Sequence, residues 1–147
     1  MRGRGRQGSR LKIASPVPMF QGIMNNITTL RTALLDLHRA VITHVREDYE
    51  REHGWVAPAE FLQLLVNDPA FAWLSPLSKA VVGIDEAIDD PQEADPTVAV
   101  AQVRSLFAPG SAPQPFEQLY QPLLQASPDV LFSHCMVKQA LHAPIGA

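Results

Sequence analysis

An aspartate or a serine stands directly before proline at Asp68-Pro69, Ser75-Pro76, Asp95-Pro96 and Ser127-Pro128, each time at the head of a segment with helical apolar spacing. Proline is tolerated at the first helical position, where its missing N–H has no intrahelical partner anyway. The side chain before it can accept a bond from an orphan N–H one turn in. Such pairs start helices and also prevent a helix from running through them. No segment alternates apolar and polar residues over a strand's length. The pattern predicts an all-α chain, a single-domain helical bundle of five to six helices with one long N-terminal helix and several short Pro-initiated ones.

Around the first two pairs, from Phe61 to Ile88, the chain concentrates its large apolar residues. Phe61, Leu62, Leu64 and Leu65 share one side of a short helix that stops at Asn67, and after Pro76 the residues Leu77, Val81, Ile84 and Ile88 recur at the helical period. The link PAFAWL is too apolar for an exposed loop. Phe71, Trp73 and Leu74 are expected in a single turn pressed into the core, where burial of an aromatic gains most. Phe71 and Trp73 are also the aromatics that would line a groove if this centre takes a partner.

The run LLVNDPAFAWLSPLSKAVVGIDEAI and its acidic, proline-bearing sequel come after a long helix ending in VREDYEREHG. This arrangement resembles a family of small uncharacterised bacterial all-helical proteins over about Leu30 to Ile88. The resemblance implies a helical fold and brings no activity or site residues with it.

The charge is unevenly distributed. Arg2, Arg4, Arg6, Arg10 and Lys12 supply five of the 12 basic residues, while the first of 15 acids is Asp36, so the rest of the chain carries 7 minus 15, or −8. An acidic body is a poor nucleic-acid binder by its surface field, and only the leader could contact phosphates. Glycine alternation keeps that leader from holding a helix, and it lacks the apolar segment of a signal peptide. Residues 1–24 are therefore read as a basic Gly/Arg-rich disordered leader and residues 25–147 as a single helical domain. No apolar run approaches the roughly 20 residues that span a bilayer. A single cysteine, Cys135, excludes an internal disulfide and fits a cytoplasmic setting.

Capping residues at Asn26, Thr28 and Thr29 predict that the long helix starts near Thr28, and Gly54 ends it. Leu30, Leu34, Leu37, Val41 and Val45 form its apolar stripe. In its second half, His44, Asp48 and Glu52 occupy the sector that Leu30, Leu34 and Leu37 hold further up. A histidine and two carboxylates on one face could bind a metal or act as acid and base. The plainer expectations are a helix end that projects into water, or a stripe that drifts toward Val45 and Tyr49. Glu50 and His53 form one Glu-x-x-His, but carboxylate-bridged di-iron bundles need a second copy, and none is present. His38, beside Val41 and Val45, reads as a core-edge histidine bonded to backbone. No metal site and no cofactor are expected.

Beyond an acidic link, Val100, Val103, Leu106 and Phe107 carry a fourth helix. The fifth, PFEQLYQPLLQA, should kink or split at Pro122. In the last, Val130, Leu131, His134, Val137 and Leu141 are expected to face inward, with Cys135 a small core residue. Consecutive Ser133, His134 and Cys135 point about 100 degrees apart and cannot pair as nucleophile and base. No glycine-rich phosphate loop, nucleophile elbow or C-x-x-C is present. The sequence thus favours a non-enzymatic binding or regulatory module working through protein contacts, with self-association possible. A small-ligand or metal-dependent protein using His44, Asp48 and Glu52 is the alternative.

Overall fold

A computed structural model describes the backbone of residues 17–142 and the side chains of residues 26–142. The helices are α1 (Val17–His53), α2 (Pro58–Asn67), α3 (Ser75–Asp89), α4 (Pro96–Phe107), α5 (Phe116–Ala126) and α6 (Pro128–His142), with a 3-10 helix over Pro69–Leu74. No strand occurs among the described residues, and no helix there is long and apolar enough to cross a membrane. The expected all-α bundle and helix number are found.

The long helix α1 is the spine. It packs along α6 and α3; α4 packs against α3 and touches α1 and α6, and α5 lies on α6 and the 3-10 helix. Its stripe, Ile27, Leu30, Leu34, Leu37, Val41 and Val45, is buried as the spacing predicts. Facing it are Leu77, Ala80, Ile84 and Ala87 of α3 and Val130, Val137 and Leu141 of α6. Stripes on neighbouring helices that meet in this way exclude water over a continuous core, which holds short helices that would be marginal alone.

Where α1 starts is a difference from the sequence reading. The helix begins at Val17 rather than near Thr28, so residues 17–24, assigned to the leader, are helical. Capping-type residues inside a helix are neutral to mildly unfavourable, so Asn26, Thr28 and Thr29 do not force a start. Thr32 Oγ1 satisfies itself on the carbonyl of Thr28, 3.3 Å away. The disorder expected for residues 1–16 lies outside the described residues. At the other end Gly54 has φ of +87°, the left-handed conformation that ends a helix, and its N–H bonds the Glu50 carbonyl at 2.8 Å.

Two of the Asp-Pro pairs cap as expected: Asp68 accepts from the N–H of Ala70 and Asp95 from that of Thr97, each at 2.9 Å. Ser127 Oγ accepts from Val130 N–H at 3.2 Å. Ser75 does not cap. The 3-10 helix runs straight into α3, so Ser75 is already helical and Leu74 holds the capping position without a side-chain acceptor. Pro122 does not split α5, which is continuous from Phe116 to Ala126 because Phe116, Tyr120 and Leu123 are buried on both sides of the proline. Three apolar residues expected on inner faces, Leu62, Leu119 and Leu131, are exposed, and so is Cys135. On α6 the buried set is instead Val130, Ser133, Val137 and Leu141, a stripe one step round the helix from Leu131 and Cys135.

Candidate functional site

A pair of side chains ties the end of α1 to the approach of α2. Arg46 Nη2 donates to the Val56 carbonyl at 2.7 Å, Glu50 Oε2 accepts from the Val56 N–H at 3.0 Å, and the two side chains pair at 3.4 Å. Both backbone groups of Val56 are thereby satisfied, so the residue can be buried while the chain reverses. Val56 and Phe61, at the spacing of a hydrophobic staple, are both buried, and the Arg46 guanidinium lies 5.8 Å from the centre of the Phe61 ring. This clamp swings α2 and the 3-10 helix back against α1 and creates a groove on either side of Phe71.

The first groove has a volume of about 460 Å³. Val45, Asp48, Tyr49, Glu52 and His53 of α1 form one wall, Asp68, Ala70, Phe71 and Trp73 the second, and Leu119 and Leu123 of α5 the third. Rings make its base: Tyr49 lies 6.0 Å from Phe71 and 6.2 Å from Phe61, and Phe61 and Phe71 meet edge to face at 5.8 Å. His53 stacks on Tyr49 at 4.3 Å, with Nδ1 3.2 Å from the Tyr49 carbonyl, where its N–H donates. Phe71 and Leu74 are buried as expected, but Trp73 is only half-buried, with one side against Phe116 at 6.1 Å and the other open to the groove. A 3-10 helix sets side chains about 120 degrees apart, so three residues spanning one turn cannot all face the same core.

The structure therefore brings Phe71 and Trp73 together with Asp48 and Glu52 in one groove, whereas His44, though in contact with Asp48, is not part of its lining. Each step of four residues advances 400 degrees, so His44, Asp48 and Glu52 drift by 40 degrees per step. His44 is largely covered, with 14% of its side chain exposed against 54% for Asp48. Its Nε2 lies 3.3 Å from Asp48 Oδ2, while the other carboxylate oxygen accepts from Arg51 at 2.6 Å. His44 lines a separate, polar depression with Asp36, Arg39, Glu47 and the start of α6. The stripe drifts, as one of the two plainer expectations has it: Val45 is buried and Tyr49 packs against the core. Among the described residues, no three His, Cys, Asp or Glu side chains converge to hold a metal ion.

The second groove, about 480 Å³, lies between α1, α2 and the start of α3 and is lined by His38, Ile42, Leu62, Leu65, Val66 and Phe71 among others. Its α2 wall is unusual. Only Phe61 of α2 is buried, whereas Leu62 and Val66, one turn apart, are 58% and 73% exposed. His38 Nε2 lies 3.3 Å from Ser78 Oγ, a side-chain partner rather than the backbone expected, and burial pushes its pKa down.

One polar pair was not foreseen. Tyr120, 2% exposed, has its hydroxyl 2.7 Å from Nδ1 of His134. In the neutral imidazole that carries its proton on Nε2, the phenol donates and Nδ1 accepts. Burial pushes the Tyr120 pKa far up, with Cys135 adding to it, and pushes that of His134 down, with Lys138 adding to it. Phe116 stacks on Tyr120 at 5.0 Å, and Phe107 stands edge-on to His134 at 5.6 Å. Both residues are inward in the helical pattern, but their meeting needs the α5–α6 packing, which the pattern does not give. The void beside the pair is only about 30 Å³, too small for a substrate.

No family model matches the chain, and comparison with curated proteins and with solved structures finds no match either.

Proposed function

We propose that this chain is a non-enzymatic contact module, and that the groove between α1, the 3-10 helix and α5 receives side chains of a protein partner. The observation that carries the reading is the convergence of Trp73, half-buried, and exposed Leu119 with Asp48 and Glu52 around one open cleft. An apolar floor with a polar rim is the anatomy of a contact surface, and tryptophan is among the residues that dominate such surfaces. His44, the histidine of the alternative reading, bonds Asp48 but lines the neighbouring depression rather than this groove.

The test is a photo-crosslinking amino acid placed at Leu119, inside the groove, or at Gln125, an exposed position of α5 outside its lining. Expressed in cells of the source organism, the Leu119 probe is expected to yield a discrete protein adduct that the Gln125 probe does not. No adduct from Leu119, or the same adducts from both positions, would overturn the reading.

A further inference from the structure

The first groove has a charge character that narrows its occupant. Asp48, Glu52 and Asp68 line it, and among the described residues no lysine or arginine does. Arg51 already answers Asp48, so Glu52 and the second oxygen of Asp68 are the anionic groups left to a ligand, beside the open side of Trp73. A guanidinium suits this surface, because it pairs with carboxylates and stacks on aromatic faces at once. The chain itself has a segment of that chemistry: Arg2, Arg4, Arg6, Arg10 and Lys12, with no acid before Asp36. Glycine at positions 3 and 5 lets such a backbone lie close to a wall.

Building on the groove as the contact site, we propose that its occupant is the arginine-bearing segment 1–12 of a second copy of the chain. Reach disfavours the same copy, because ordering a nearly extended segment costs its conformational entropy. From Val17 to Val45, the nearest groove residue of α1, is 28 helical steps, about 42 Å along the axis. At about 3.4 Å per residue, Arg10 and Arg6 extend only about 24 and 37 Å from Val17, and Arg4 and Arg2 arrive only with the segment pulled straight. A neighbouring molecule meets no such limit. The contact is head to tail, the segment of one copy on the groove of the next, so it builds open assemblies unless the rotation closes a ring.

The experiment uses two forms of the protein. Sedimentation of the full chain should show mass rising with concentration at low salt and falling back in about 0.5 M salt, where the screening length is a few ångströms. The full chain carrying Glu52→Lys should stay monomeric with an unchanged helical circular dichroism spectrum. In the second form, residues 1–16 are removed and Trp55→Phe leaves Trp73 as the single tryptophan. Its emission should change saturably as a synthetic peptide of residues 1–12 is added, and should not respond to the same peptide with all four arginines replaced by glutamine. The inference is overturned if the full chain keeps monomer mass at every concentration, if Trp73 does not respond, or if Glu52→Lys leaves the response unchanged. A Leu119 adduct with a different protein, alongside a silent peptide titration, would sink this inference and leave the contact-module reading standing.

Discussion

Removing the Tyr120–His134 hydrogen bond one partner at a time should cost more than removing it whole. In Tyr120→Phe the hydroxyl 2.7 Å from Nδ1 is lost and the stacked ring stays, so the penalty is that of one neutral hydrogen bond, about 1 kcal/mol. His134→Ala orphans a phenol that is 2% exposed, at about 1 to 3 kcal/mol, and also strips a ring from Phe107, for a total of about 2 to 4 kcal/mol. The double variant carries no orphaned hydroxyl, so its loss should fall short of the sum by about 1 kcal/mol or more. Urea midpoints at pH 8 for the four proteins give this coupling. The same series down to pH 5 gives its sign with acid. Burial holds the folded His134 pKa below its ordinary 6.5, so the unfolded chain takes up a proton first. The stabilisation is fully present above about 6.5 and is lost as pH falls through the folded value. His134→Ala should flatten that part of the profile, and the part due to His38, lowered in the same direction, should remain. Additivity within about 0.3 kcal/mol, or a stability that rises as pH drops from 7 to 5, would refute the pairing and the neutral imidazole on which it rests.

Trp73→Ala should destabilise by about 2 to 4 kcal/mol, somewhat below the 3 to 5 kcal/mol of a fully buried aromatic, because the ring packs against the core but part of it faces the groove; denaturant midpoints check this. Glu50→Ala unties the Val56 N–H and frees Arg46, and should cost about 1 to 3 kcal/mol with amide exchange rising first over residues 54–61. Asp48→Ala should cost about 1 kcal/mol by the same midpoints, since the carboxylate is more than half exposed and its pair with Arg51 is a surface one, while the largely covered His44 loses a partner. Leu62→Glu and Val66→Glu should leave the melting temperature nearly unchanged, as both side chains already stand in water.

Local chemistry written in the sequence was enough to determine how many helices form and most of their ends, though not the start of α1 at Val17. A proline fixes its own φ and removes its own donor, so Pro58, Pro69, Pro96 and Pro128 mark helix starts wherever the rest of the chain goes, and Gly54 marks a stop because left-handed backbone is open to it. The α1 stripe from Leu30 to Val45 was legible for the same reason, since one period places those residues on one side. What lies across from a helix is not a local property. Whether Leu131 or Ser133 goes inward, a difference of 200 degrees on α6, is settled by how that helix rotates against α1, and the fate of Cys135 depends on the same rotation. Pro122 stays within α5 because packed residues on both sides outweigh its lost bond. The groove shows the division most plainly. Asp48 and Glu52 were visible as a polar face and Phe71 and Trp73 as an aromatic turn, but only the Arg46–Glu50 clamp on Val56, by reversing the chain, brings the two to one cleft and leaves His44 outside it.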